Sequence, residues 1–182
     1  MSFTPEFRIQ GKNMWIFTYG SLMGDGWERE FGCLRREVAT LVGYTRSFTK
    51  ASTANWGSKS TPCPTLRIVP QTSAKCLGIA FEFEGDAAGP LKYLAAREGT
   101  NFDPIEVTIE LASRAAVEAR TYIYSGTNLI KTDNVAETLQ MLKSARGTSG
   151  TGSQYLRKVY DTLKREGIDD GAVDDLWNEF CR

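Results

Sequence analysis

Apolar and polar positions alternate along the first two thirds of the chain and recur at helical spacing along the last third. Trp15, Phe17 and Tyr19 alternate with Met14, Ile16 and Thr18, which is the period of a β-strand. Residues 33–42 are apolar enough for a second strand, and the alternation of Val42, Tyr44, Arg46 and Phe48 with smaller residues predicts another β-run. Thr65 to Val69 reads as a short strand ended by Pro70. The clearest strand covers 76–84, with Leu77, Ile79, Phe81 and Phe83 on one face. Its other face carries Gly78 and Ala80, small enough for a cramped interior or a close strand crossing. Residues 105–111 and 117–125 alternate in the same way. Between these runs, residues 52–64 are rich in Ser, Thr, Gly and Pro and predict a loop, with Trp56 packing it over something beneath.

Four stretches have helical periodicity. Asp86 to Glu98 is bounded by Pro90 in its first turn and by Gly99, with Leu91, Leu94 and Ala95 marking the buried face. Residues 134–146, 154–166 and 171–181 follow, with Asp133 or Asn134 and Ser153 available as caps for the first two. Strands come first, one helix interrupts them, and helices finish the chain. That order predicts an α+β fold: a small, largely antiparallel β-barrel or curled sheet packed by helices. At 182 residues one domain is the expectation, spanning 14–182 after a loose polar arm, 1–13.

Lys plus Arg and Asp plus Glu both number 22, so the net charge is zero and nothing predicts a general attraction to nucleic acid or an anionic membrane. No apolar run reaches the roughly 18 residues of a membrane span, and the arm has no apolar signal-peptide core. The four cysteines, Cys33, Cys63, Cys76 and Cys181, form no Cys-x-x-Cys pair, and free thiols in a reducing cytoplasm are the simplest reading. The chain contains no histidine. A Ser-His-Asp triad, a Cys-His pair and a histidine-based metal site are therefore excluded, and no metal ligand set is expected. Proton chemistry here must use Glu, Asp, Lys, Tyr or Cys.

Three places stand out. The first strand breaks at Tyr19-Gly20-Ser21-Leu22, where a glycine frees backbone N–H groups from any ladder. Such groups bind anions and oxyanions, although an ordinary strand-to-loop turn has the same look. Glu98 lies four residues from Leu94 and seven from Leu91, so it shares their apolar side. It also lies in the last helical turn, where the dipole disfavours negative charge. A carboxylate held there should titrate high and is a candidate general acid/base, unless Arg97 or another rim cation simply pairs with it. Arg46 shares a strand face with aromatics, either as a snorkelling arginine or as the partner of a buried or substrate carboxylate. The glycine-rich run 147–152 is not a phosphate-binding P-loop, because no Gly-Lys-Ser/Thr follows.

Taken together the motifs resemble a known family. Phe17-Thr18-Tyr19-Gly20-Ser21-Leu22 resembles the Tyr-Gly-Ser-Leu signature of the γ-glutamylcyclotransferase superfamily. Gly43-Tyr44-x-Arg46-x-Phe48, Ser52-Thr53, Gly57 and Pro62-x-Pro64-Thr65-Leu66 resemble its ChaC branch, the glutathione-specific enzymes. Gly78-Ile79-Ala80-Phe81 is similar to the strand that follows, and Tyr93-Leu94-x-x-Arg97-Glu98 to the segment with the catalytic glutamate. Gly147-Thr148-Ser149-Gly150 and Gln154-Tyr155-Leu156 resemble the C-terminal pattern of that branch. The resemblance covers about residues 14 to 180, and it departs at Gly99 to Phe102 and at 57–64, where Cys63 sits between two prolines.

The resemblance implies a reaction in which the α-amine of a γ-glutamyl group attacks its own γ-carbonyl and 5-oxoproline leaves. It implies Glu98 as catalytic base and Tyr19, Gly20, Ser21 and Leu22 as the substrate loop. Tyr155 and Arg46 become candidate substrate contacts, each with a structural alternative. Ser21 is not a nucleophile, because nothing basic is guaranteed beside it. The implied partner is a small γ-glutamyl substrate such as glutathione; a γ-glutamylamine, a γ-glutamyl amino acid or a non-catalytic γ-glutamyl-binding role stays open. Nucleophile and electrophile lie in one molecule, so no cofactor is expected.

Overall fold

A computed structural model of the protein describes residues 13–182, so the expected N-terminal arm falls, except for Asn13, outside the described residues. Five strands close a barrel in the order β1-β3-β2-β4-β5. They are β1 Met14–Thr18, β2 Arg35–Ser52, β3 Cys63–Phe83, β4 Phe102–Leu111 and β5 Ala116–Tyr124. Every pairing is antiparallel except the closing one, where β5 runs parallel to β1 with Trp15 beside Ala119. Closure removes the exposed sheet edges that an open sheet would carry.

Helix α1, Ala88–Glu98, connects β3 to β4, and α2 Val135–Ser144, α3 Gly152–Arg165 and α4 Gly171–Phe180 follow the last barrel strand. A two-residue hairpin, β6 Arg146–Gly147 with β7 Gly150–Thr151, joins α2 to α3. Asn134 caps α2 through the Glu137 amide and Asp170 caps α4 through that of Val173. Helix α3 starts earlier than its periodicity predicts. Thr151, not Ser153, is its cap: Gln154 N donates to Thr151 Oγ1, and the Thr151 amide donates to Gln154 Oε1, completing a capping box.

Two cores share the strands. One draws on all five strands and no helix: Trp15 and Phe17, Ala39 and Leu41, Ile68 and Ala80, Ile109 and Leu111, and Ala119. The other faces of β1 and β3 give Ile16, Phe81 and Phe83 to a second core with Leu94, Leu142, Leu156 and Val159 of the helices. Strands buried on both faces read as near-continuous apolar runs, which is why β1 is so aromatic. Gly78 is the expected close crossing, since a Cβ there would collide with Thr18 O and the Phe17 ring.

The runs at 33–42 and 42–49 are one bent strand, β2, and those at 65–69 and 76–84 are one strand, β3. Gly43, at φ 87°, marks a register shift between Val42 and Tyr44, and exposed residues from Gln71 to Ser73 swing out opposite it. Pro70 is tolerated because it sits beside this break, paired with Tyr44. A second shift, between Ser47 and Lys50, lies at the far end of β2. In α1, Pro90 and Leu94 are buried while Ala95 is exposed, so the buried face is narrower than its periodicity predicts.

Candidate active site

A cavity of about 470 Å³ opens where the C-terminal end of β1, the end of α1, the β2–β3 hairpin and the start of α3 converge. Tyr19, Gly20, Ser21, Leu22, Glu98 and Tyr155 all line it, although they come from widely separated parts of the chain.

The first wall is the turn after β1. Met23 N bonds to Gly20 O at 3.0 Å and Gly24 N to Ser21 O at 3.4 Å, so this turn leaves the amides of Gly20, Ser21 and Leu22 outside its own ladder. A Cβ added to Gly20 would meet no atom within 4 Å, so the glycine leaves space open rather than relieving a clash. Tyr19 is both cavity wall and core residue, with its hydroxyl donating to Tyr122 O at 2.7 Å.

Glu98 forms the second wall. It ends α1, is half-buried, and is followed by Gly99 at φ 69° and a single turn to Asn101. Burial raises its pKa above the ordinary carboxylate value; Arg97 and Lys50 pull the other way, and Asp25 adds to the rise. Tyr19, Tyr122, Tyr155 and Lys50 line the same cavity, and the Glu98 charge pushes the pKa of each upward. Arg97 is not its ion-pair partner: that guanidinium pairs with Asp25 and donates to the Tyr93 hydroxyl at 3.1 Å. This clamp ties the end of α1 to the Gly24-Asp25-Gly26 loop beside the turn.

Tyr155 and Trp56 form the third wall. The Tyr155 hydroxyl accepts from Leu66 N at 2.8 Å, which leaves its own proton available for donation. Burial pushes its pKa up, so it stays a neutral donor. Trp56 lies against it with ring centroids 5.3 Å apart. The loop carrying Trp56 is pinned by the β6–β7 hairpin, through Thr148 N to Ala54 O at 2.9 Å and Ser149 N to Asn55 O at 2.7 Å. Gly147 permits this approach, since a Cβ there would strike the Ala54 and Asn55 carbonyls. The aromatic in the loop therefore packs over the cavity.

Arg46 departs from the expectation of a substrate contact. Its side chain is fully buried and does not line this cavity. Its Nε donates to Tyr19 O at 2.8 Å, one Nη to Leu77 O at 2.5 Å and the other to Asp170 at 2.8 Å. Of the two alternatives with a carboxylate, the structure has the internal one: Arg46 braces the strand end that presents the turn.

Sequence reasoning missed Lys50, which lines the cavity next to Ser52 and Thr65. A lysine near the end of a strand reads as solvent-exposed, although it continues the alternation of Arg46 and Phe48 toward Ser52. Among the described residues no group of three or more Cys, Asp or Glu could hold a metal ion. Among the described residues no helix is long and apolar enough to cross a membrane.

Comparisons with known proteins bear on the family and fold of the chain. The chain is 28% identical over 179 residues to γ-glutamylcyclotransferase 2-3 of Arabidopsis thaliana, covering 91% of this chain and 87% of that one. It is 27% identical over 168 residues to the glutathione-specific γ-glutamylcyclotransferase of Escherichia coli (strain K12), covering 90% and 71%. Its fold is similar to the crystal structure of a γ-glutamyl cyclotransferase specific to glutathione from yeast, with a TM-score of 0.77 at 18% identity over 94% of this chain and all of that one. The family model described as ChaC-like protein matches residues 14–181, and the chain belongs to that family.

Proposed function

We propose that the protein is a γ-glutamylcyclotransferase that releases 5-oxoproline from a γ-glutamyl peptide of the glutathione type. The observation that carries this reading is a desolvated carboxylate, Glu98, in one cavity with backbone amides that the β1 turn leaves unused. Kinship with curated γ-glutamylcyclotransferases, one of them glutathione-specific, supports it.

The amides of Gly20, Ser21 and Leu22 hold the α-carboxylate end and the γ-carbonyl oxygen, folding the γ-glutamyl chain back on itself. Glu98 takes a proton from the α-ammonium, and the freed amine attacks the γ-carbonyl carbon. The carbonyl π electrons move to oxygen, which the amides stabilise. On collapse the bond from the γ-carbon to the leaving nitrogen breaks as Glu98 returns the proton to that nitrogen, and the attacking nitrogen, cationic since the attack, gives up its second proton through Glu98 to the departing amine, which leaves as an ammonium. The lactam is 5-oxoproline, and the other product is an amine, which for glutathione is Cys-Gly. A raised pKa suits Glu98 to this exchange, because it brings the carboxylate closer to the amine it serves. Tyr155 contributes a neutral O–H donor to the cavity, and Tyr19 shapes its wall. The chemistry calls for no cofactor, and a reducing cytoplasm suits the free thiols.

The test is 5-oxoproline release by purified protein, with no cofactor added, from glutathione, γ-glutamyl-alanine and a γ-glutamylamine in parallel. Release from glutathione supports the proposal. Release only from the amine moves the substrate class, and no release from folded protein with any of the three overturns the enzymatic reading in favour of a γ-glutamyl-binding role.

A further inference from the structure

Lys50 is a partly buried cation without an anion. Its ammonium lies over the rings of Tyr124 and Phe102, 5.5 and 5.8 Å from their centroids. Among the described residues it forms no ion pair and no side-chain hydrogen bond, with Glu98 or with any other group. Burial lowers its pKa from the ordinary lysine value, while Glu98 and Cys63 oppose that shift. An ammonium taken from water and given only ring faces is poorly compensated until an anion arrives.

The placement is built into the strand. Ser47 pairs with Arg67 and Lys50 with Thr65, so two residues of β2 oppose Leu66 alone. Lys50 and Ser52 continue the alternation of Phe48 past this bulge, and with Thr65, the pairing partner of Lys50, they line the cavity wall. The other cavity cations are differently disposed: Arg97 is committed to Asp25, and Lys158 is exposed on α3.

A glutathione-type substrate carries two carboxylates. The amides after β1 can hold the one on the reacting γ-glutamyl unit, which leaves the one on the departing amine. That second carboxylate would enter a cavity already holding Glu98, and a cation beside it offsets the repulsion. We propose that Lys50 binds the carboxylate of the leaving group, and so makes this site selective for γ-glutamyl peptides and γ-glutamyl amino acids over γ-glutamylamines. The inference rests on the cyclotransferase reading and names the substrate class of that same site.

Two substrates differing in that one charge test it: glutathione and its glycine-carboxamide derivative. A charge-assisted contact contributes about 1.5–3 kcal/mol, or roughly 10- to 150-fold in kcat/KM. The wild-type protein is expected to prefer glutathione to the amide by about that factor. Lys50→Gln is expected to lower kcat/KM for glutathione by the same factor, chiefly through KM, and to change turnover of the amide by less than about threefold. Lys50→Arg should keep most of the preference. A wild-type protein that turns over both equally, or a Lys50→Gln variant that loses both equally, overturns the assignment while leaving the cyclotransferase intact. In the second case Lys50 acts on the γ-glutamyl unit or on Glu98 instead. A folded wild-type protein that releases 5-oxoproline from neither substrate nor from a γ-glutamylamine overturns the parent reading and this one with it.

Discussion

Replacing Arg46 with methionine separates a structural arginine from a substrate-binding one. Methionine keeps much of the side-chain volume and removes every donor. Three oxygen acceptors then lose a partner, Tyr19 O, Leu77 O and the Asp170 carboxylate, along with the weaker acceptor Met23 Sδ. Breaking a buried ion pair by removing one member costs about 3–5 kcal/mol, and each orphaned carbonyl on its own about 1–3 kcal/mol. These costs do not add, because the three acceptors share one guanidinium. The Asp170 side chain is 12% exposed and still caps α4 through Val173 N, which softens its loss. The expected total is therefore about 3–5 kcal/mol, or a fall in Tm of about 6–20 °C for a chain of this size. Urea unfolding followed by tryptophan fluorescence measures it, with Asp170→Asn and the double variant completing a cycle. Coupling above about 1 kcal/mol between the two positions is expected. In the fraction that stays folded, kcat should fall as well, since Tyr19 O anchors the strand end that presents the turn. The reasoning is refuted if Arg46→Met stays within about 0.5 kcal/mol of wild type while KM alone rises. That pattern would belong to an arginine that contacts substrate.

Other expectations follow from single contacts. Gly20→Val should leave stability within about 1 kcal/mol, because its Cβ meets no neighbour, yet abolish turnover by filling the space before the free amides; calorimetric unfolding and an activity assay check both halves. Glu98 binds its proton more tightly folded than unfolded, so it favours folding below its unfolded pKa and loses that contribution as pH rises through its folded value. Glu98→Gln should therefore be more stable than wild type at neutral pH, with the gap closing near pH 4, as thermal unfolding across pH would show. Burial pushes the Cys63 thiol up to about 12 and that of Cys76 up to about 11, so both should resist a thiol reagent at pH 8 in the folded protein while exposed Cys181 reacts quickly.

Much of the architecture was legible because each strand face has a partner. The aromatic alternation of β1 and the small residues opposite Phe81 both reflect strands packed on two sides. The breaks were misread for a local reason. Pro70 looks like a strand end and the apolar run divides at Val42, and in a closed barrel both places mark one bend shared by two long strands. At the site, Glu98 was legible because an apolar helix face ran into an acid at its last turn. Arg46 was legible as anomalous, but its carboxylate lies 124 residues away in sequence, beyond any local pattern. Lys50 continues the alternation of Arg46 and Phe48, but a lysine two positions from a strand end suggests solvent, and the walls that enclose it come from segments distant in sequence.

The most direct test of the central claim is Glu98→Gln, measured for both turnover and binding. Glutamine keeps the shape and removes the base. The account expects 5-oxoproline release to fall by about 10²- to 10⁴-fold, the worth of a positioned acid/base, while calorimetry shows glutathione binding within a few-fold of wild type. Undiminished release by the substituted protein would contradict it, and would place the proton transfer on another group.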